Sequence, residues 1–332
     1  MNGEVQSRTV RVAFDSRPAA EGGGVGRYAQ CLLEALEADA PEGAEIVLTH
    51  RPRRVDVLHA PCLDCAPLRP HGPTVVTVHD VHRLKRQGER MRAGVRVRLR
   101  SLAAQRATRV IVPTQAVAAD TVAYLRLPDD RVVVIPEAVA PALHTRPPET
   151  VRRTRERYGL PEDYLLWVGR MAHPEPRKRI AELAHAARSL PLVLVGATSR
   201  WAEELPGVLL TGHVPDDDLA ALYTGARALV FPSDDEGFGL PAIEALACGT
   251  PVVASDVPAL REVLDGRATF VPVGDVAALV AAAERATRPA PPPPAWTWAD
   301  AARATWEVYC DAVAAATRPR VRPARRPAVS EA

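Results

Sequence analysis

Apolar residues in this chain fall into short runs rather than long stretches. In the first half the runs are VRVAF from Val10, EIVLT from Glu45, DVLH from Asp56, TVVTV from Thr74, VIV from Val110 and VVVI from Val132. In the second half they are LLWVG from Leu165, LVLVG from Leu192, VLLTG from Val208, ALVFP from Ala228, PVVAS from Pro251 and TFVPV from Thr269. Several lack polar alternation, the mark of strands buried on both faces of a parallel sheet. Between many of them the period changes to that of a helix. Val25, Tyr28, Ala29, Leu32, Leu33 and Leu36 make one such i, i+3, i+4, i+7 stripe. Strand, helix, strand repeated through both halves predicts an α/β chain with two parallel-sheet domains.

Breakers divide the chain. Proline and charge dominate between Pro136 and Leu160, which places a hinge there and predicts domains over 1–150 and 151–296. The segment PAPPPPA, Pro289 to Ala295, admits neither helix nor central strand. A terminal helix is predicted over 297–316, with Thr297 placed to cap it. The Pro/Arg-rich tail, 317–332, reads as disordered.

Composition adds exclusions. A length of 332 residues fits about two domains. With 47% hydrophobic and 25% charged residues, the bulk of the chain is neither collagen, coiled coil nor intrinsically disordered. The net charge of +2 gives no reason to expect nucleic acid as a partner. No window approaches the ~18 apolar residues of a membrane-spanning helix, and no signal-type run precedes the first strand. Five cysteines make no disulfide framework. These features predict a cytoplasmic protein. Only Lys85 and Lys178 among the 42 basic residues are lysines, a weak hint that each is needed as lysine.

The segment richest in chemistry runs from Pro232 to Val263, PSDDEGFGLPAIEALACGTPVVASDVPALREV. A glycine-containing loop leaves a strand and enters a helix, with Pro241 in its first turn and Gly249 just past its end. The amides of Gly237 to Leu240 would face outward at that helix start, where phosphate oxygens bind. Glu236 sits in the loop and Glu244 about one turn into the helix, so the two carboxylates can flank one ligand. The plainer alternative makes Glu244 a complement to the helix dipole and Glu236 a solvated loop acid.

Glu236, seven residues, then Glu244, within EGFGLPAIEALACGTPVVAS, resembles the signature of retaining glycosyltransferases of family 4. Further segments follow in that family's order: DSRPAAEGGGVGRYA, VVTVHD, WVGR, PRKR and GHVPDDDLAALYTGARALVFPS. The resemblance implies a GT-B fold, two Rossmann-like domains facing each other across a cleft, with the last helix crossing back to the first domain. It implies that Glu244 holds the nucleotide ribose and that Glu236 faces the donor sugar, helped by Gly237, Phe238 and Gly239, with Leu240 beside them. Arg170, next to Gly169, and Lys178 match the basic pair that grips the donor diphosphate. His79, ahead of Asp80 at a strand end, would reach the sugar near the reacting carbon. Gly24 and Gly26, with Gly22 and Gly23 ahead of the first helix, would border the diphosphate, and Val214 would lie near the base. PRKR resembles mannosyltransferase-like members, which favours mannose from GDP-mannose among GDP- and UDP-sugars. The resemblance implies a hydroxyl acceptor, with a lipid-linked or cell-envelope glycan and a natural product both open. Two fixed cations and a helix start would stabilise the departing diphosphate, so no metal and no cofactor beyond the donor is expected. A nucleophile on the β-face and attack from the leaving-group side both stay open.

Other readings compete. Gly24-x-Gly26-x-x-Ala29 fits a dinucleotide-binding pattern and would suit an NAD-dependent oxidoreductase. Its glycines begin seven residues beyond Asp15, too late for the tight turn, and the second strand ends LTH with no acid for a ribose. His59, Cys62, Cys65 and His71 suggest a zinc site, although a lone CxxC lacks the paired spacing, and thiols lying in a loop or buried explain it better. Cys31, on the apolar stripe, reads as core. From Arg83 to Arg109 stand ten basic residues and one acid, Glu89. In family members with lipid acceptors such a surface touches anionic membrane, which would make the protein peripheral at the inner face; a solvated arginine-rich helix face is the alternative. Where many relatives read IPNGVD, this chain reads IPEAVA from Ile135 to Ala140. That departure leaves room for a non-catalytic sugar-nucleotide binding protein.

Overall fold

A computed structural model describes residues 10–20, 22–85 and 94–317. The tail from 318 onward, expected to be disordered, lies outside the described residues, as does 86–93 of the basic segment.

Each of the twelve apolar runs forms a strand. The first six are β1 (Arg11–Phe14), β2 (Glu45–Leu48), β3 (Val57–Ala60), β4 (Thr74–Thr77), β5 (Arg109–Val112) and β6 (Val132–Val134), in one sheet of order β2-β1-β3-β4-β5-β6. The second sheet holds β7 (Leu165–Val168), β8 (Leu192–Val195), β9 (Val208–Gly212), β10 (Ala228–Phe231), β11 (Val252–Ser255) and β12 (Thr269–Val271), in the order β12-β11-β10-β7-β8-β9. All pairs are parallel. Strands β3, β4, β8, β10 and β11 are buried along their whole length. Strand order reverses between β1 and β3 in the first sheet and between β7 and β10 in the second. Ligands of doubly wound sheets bind outside the carboxyl ends at such reversals.

The first sheet carries α1 (Gly23–Ala38), α2 (His82–Lys85), α3 (Gly94–Arg106) and α4 (Gln115–Leu125). The second carries α5 (Pro148–Tyr158), α6 (Ile180–His185), α7 (Arg200–Glu203), α8 (Asp216–Gly225), α9 (Leu240–Ala247), α10 (Pro258–Leu264) and α11 (Val276–Glu284). The stripe read from the sequence is the buried face of α1, with Tyr28, Ala29, Cys31, Leu32 and Leu36 in the core. The glycines expected ahead of that helix begin it instead. Gly22 is the N-cap, while Gly24 and Gly26 lie in the first turn. Between β1 and α1 the chain spends a 3-10 turn, Arg17–Ala20, longer than a dinucleotide fingerprint allows.

Residues 136–147 form no helix or strand, yet Ala138, Ala140 and Leu143 are buried in the core. Helix α5 belongs with the second sheet. The Arg157 guanidinium and the Tyr158 hydroxyl both reach the carboxylate of Asp218 on α8, each at 2.8 Å. The final helix, α12 (Trp298–Thr317), returns to the first domain. Thr297 caps it, accepting from the Asp300 amide at 3.1 Å while Asp300 accepts from the Thr297 amide at 3.2 Å. Trp306 donates to the Leu36 carbonyl of α1 at 3.2 Å, and the Tyr309 hydroxyl meets His59 Nδ1 of β3 at 2.6 Å.

Candidate functional site

A cleft of about 800 Å³ opens where the two strand-order reversals face each other. Its size suits a ligand larger than a simple metabolite. The first domain contributes the start of α1, with Gly24 and Gly26, the loop after β3 with Cys62 and Cys65, and the end of β4 with His79 and Asp80. The second contributes Gly169 and Arg170 after β7, Lys178, and the loop Glu236–Pro241 between β10 and α9.

The loop into α9 is shaped by glycine. Gly239 takes a φ of 93°, and α9 begins at the next residue with Pro241 in its first turn. At Gly237 the second domain lies directly against the first. A Cβ there would stand 1.8 Å from the carbonyl oxygen of His79, so no other residue fits without parting the domains. The Thr114 hydroxyl of the first domain donates to the Gly237 carbonyl at 3.0 Å.

The cations are arranged in two ranks. Arg170 is exposed, its stem about 4 Å from where a Gly23 side chain would begin. Lys178 lies over the Trp167 ring at 5.9 Å and donates to the Arg170 carbonyl at 3.3 Å, with Glu175 at 3.5 Å. Behind them, Arg177 stands 3.5 Å from Glu236, 3.3 Å from Glu175 and 3.9 Å from Asp80 across the cleft. Burial would lower its pKa, but the surrounding Glu236, Asp80 and Glu175 outweigh that and raise it. In the sequence Arg177 is one cation of the run PRKR. Only the fold shows it to be the member that joins Glu236 to the opposite domain.

On the facing wall both ring nitrogens of His79 are hydrogen-bonded. Nδ1 meets Glu137 Oε1 and Nε2 meets the Pro61 carbonyl, each at 2.9 Å. Burial alone would lower the His79 pKa; the Glu137 hydrogen bond and charge, with the Pro61 carbonyl, raise it above the usual value. Asp80 is pulled the other way. Burial would raise its pKa, but the hydrogen bond from His82 and the charges of His82, Arg177 and His79 hold it well below the usual carboxylate range.

Two expected donor residues stand outside the cleft wall. Val214 is buried in the hydrophobic core. Glu244, also buried, accepts from the Tyr223 hydroxyl at 2.9 Å and pairs with Arg27 Nε of α1 at 3.2 Å. Burial raises its pKa, opposed by Arg27 and Tyr223. Arg27 also forks onto Asp216 at 2.6 and 3.0 Å. Two acidic runs, Asp216–Asp218 and Asp234–Asp235, are held by cations likewise: Asp217 pairs with Arg146, Asp234 with Arg179, and Asp235 with Lys85 across the cleft.

The four residues weighed for zinc do not assemble. His59 spends its nitrogens on Tyr309 and Thr77, and burial pushes its pKa down to about 3. Cys62 and Cys65 keep their sulfurs 3.1 Å apart in the cleft wall. Among the described residues no three His, Cys, Asp or Glu side chains are grouped to hold a metal ion. Of the basic segment, Lys85, Arg100 and Arg109 pair with Asp120, Asp64 and Asp311. Helix α3 nonetheless exposes Val95, Leu99 and Leu102. Among the described residues no helix is long and apolar enough to cross a membrane.

Residues 40–143 match the family model described as Glycosyltransferase Family 4, and 162–288 match that of Glycosyl transferases group 1. The O-antigen chain mannosyltransferase B of Escherichia coli is 34% identical over 173 residues, 46% of this chain and 45% of that protein. The serotype-specific mannosyltransferase WbdA of Escherichia coli is 34% identical over 182 residues, 48% of this chain and 22% of its own length. The 2-deoxystreptamine N-acetyl-D-glucosaminyltransferase of Streptomyces fradiae is 36% identical over 203 residues, 54% of this chain and 47% of the relative. The matched segment thus spans less than half the length of each of these curated relatives. Among solved structures, sucrose-phosphate synthase from Thermosynechococcus elongatus superposes with a TM-score of 0.65 at 22% identity, covering 92% of this chain and 94% of the other. Anabaena HepE, in complex with UDP and glucose, gives 0.64 at 17% identity over 92% and 97%. The fold is GT-B.

Proposed function

We propose that this chain, a GT-B member of the family 4 and group 1 glycosyltransferases, moves a hexose from a nucleoside diphosphate sugar to a hydroxyl acceptor with retention of configuration. The observation that carries the reading is the cleft itself. It brings Arg170, Lys178, Glu236 and the loop ahead of α9 together where both sheets reverse strand order. Mannose is the favoured sugar. The PRKR segment and the mannosyltransferase relatives support that choice.

The chemistry follows from charge. Breaking the bond between sugar and diphosphate leaves negative charge growing on the phosphate oxygens. Arg170 and Lys178, both held on the connection between β7 and α6, supply positive charge there without reorganisation. The loop amides at the start of α9 add partial positive charge. These groups take the part a divalent ion plays in metal-assisted transfer. Glu236, fixed by Arg177, is left facing the sugar.

A thermal-protection screen of GDP- and UDP-sugars, followed by a hydrolysis assay with the strongest binder, tests the reading. A sugar nucleotide should raise the melting temperature and be slowly hydrolysed, in EDTA as well as in Mg²⁺. Protection by NAD with none by any sugar nucleotide would overturn it, and binding without turnover would leave a sugar-nucleotide binding protein. Turnover that vanishes in EDTA and returns with Mg²⁺ or Mn²⁺ would overturn the part given to the two cations.

A further inference from the structure

The segment Ile135–Ala140 departs from the pattern IPNGVD, and its third residue, Glu137, is buried in the cleft wall. Its carboxylate meets Nδ1 of His79 at 2.9 Å. The other ring nitrogen lies 2.9 Å from the Pro61 carbonyl. A backbone carbonyl can only accept, so Nε2 carries a proton. An ionised carboxylate also only accepts, so Nδ1 carries a second one. The 2.9 Å contact holds that proton between ring and carboxyl, and the Glu137 hydrogen bond and charge outweigh the effect of burial on the ring, which keeps it on Nδ1. The Tyr28 ring meets the imidazole edge-on at 4.6 Å and limits its rotation.

Resting on the transferase reading of this cleft, we propose that Glu137 is a positioning residue. Together with the Pro61 carbonyl it clamps His79 as a stationary imidazolium in the cleft wall, so His79 serves transfer as a fixed cation and not as a proton acceptor. The surroundings agree. From β3, His59 is hydrogen-bonded and neutral, and Cys62 follows in the next loop. From α1 comes Tyr28, its hydroxyl bonded to Thr77. Asp80 on the same strand end is an anion. No cation faces the ring closely enough to oppose its charge among these neighbours. The direction of the His79 shift, upward against burial, fits the same arrangement. The backbone oxygen of His79 touches the position of Gly237, so the clamped residue sits against the loop that carries Glu236.

The test uses the full chain with ¹⁵N-labelled histidine and no donor. The ring signals of His79, identified by their loss in His79→Gln, are followed against pH in wild type, Glu137→Gln and Glu137→Asp. The wild-type ring should stay doubly protonated about one pH unit or more above the ordinary value near 6.5. Glu137→Gln should lower the midpoint by more than one unit, and Glu137→Asp should restore part of it. In parallel, the alkaline limb of the kcat/KM profile for sugar-nucleotide turnover should move down with the midpoint, leaving activity recoverable at lower pH. A wild-type midpoint at or below 6.5 overturns the clamp, and so does one unchanged in Glu137→Gln. A shifted midpoint with an unshifted kinetic limb overturns the role of the charge. Should Glu137→Gln fail to fold, the wild-type titration and Glu137→Asp decide. The expected titration with no sugar-nucleotide turnover in wild type would uphold the clamp and remove the transferase reading instead.

Discussion

Replacing Gly237 with alanine probes how the cleft is closed. The new methyl would lie 1.8 Å from the His79 carbonyl oxygen and 2.9 Å from its carbonyl carbon, against an ordinary contact that begins at 3.4 Å. The obstacle is backbone at the end of a fully buried strand, so no side chain can swing aside. Restoring contact distance requires the loop to retreat by about 1.6 Å, the difference between those two distances. The Thr114 hydrogen bond to the Gly237 carbonyl would be broken, and Glu236 would be carried away from the facing wall. A displacement of ~1 Å in a reacting group costs on the order of 10²-fold in rate, so transfer should fall by at least that factor. The assay is steady-state turnover beside an unfolding curve. Each sheet has a core cluster of its own beside the one that joins the domains, so Gly237→Ala should stay folded with its loss mainly in kcat. Gly72→Ala is the control: its Cβ would meet nothing within 4 Å, and it should match wild type. A Gly237→Ala variant within threefold of wild-type kcat would refute the claim that the closed contact is needed for turnover.

Other variants address the remaining parts. Arg170→Ala and Lys178→Ala should each lower transfer by ~10²-fold or more, as loss of one preorganised charge-stabilising donor does; wild-type rates in both would place the diphosphate elsewhere. Glu244→Ala strips Arg27 and Tyr223 of a buried partner and should cost about 1–3 kcal/mol in urea unfolding. In calorimetry it should weaken binding of GDP or UDP alone as well, whereas Glu236→Ala should spare the free diphosphate and impair the intact sugar nucleotide. Equal losses in both variants for both ligands would dissolve that division. Asp80 has a depressed folded pKa, so its contribution is present above the ordinary carboxylate value near 4 and is lost as pH falls through the folded value. Urea midpoints should therefore fall with acidification below about pH 4, and less steeply in Asp80→Asn; identical slopes would remove Asp80 from the account.

The central strands were legible because they are buried along their whole length. Twelve short apolar runs, several without polar alternation and with helical periods between many of them, leave little alternative to parallel sheets. The loop into α9 was legible too, since proline inside the helix start and glycine past its end mark both boundaries. What stayed hidden depends on residues far apart in the chain. Nothing local separates Arg177 from Arg179, yet one spans the cleft to Asp80 and the other pairs with Asp234. Glu137 could be seen only as a departure, because its partner His79 lies 58 residues earlier. Glycine counting misjudged where α1 begins. A glycine-rich run reads as loop by propensity, but the packing of Tyr28, Ala29 and Leu32 carries the helix back to Gly23.

The return of α12 to the first domain has a consequence for biosynthesis. The sheet it covers is complete at Val134, while the helix begins at Trp298. At ~5–20 residues per second, a nascent chain has the first sheet outside the ribosome for roughly 8–30 seconds before its cover arrives. Through that interval the face of α1 that receives Trp306, and the side of β3 where His59 meets Tyr309, are open to water and to other chains. The half that is made first is thus the half that is finished last, and its maturation waits on the synthesis of its neighbour.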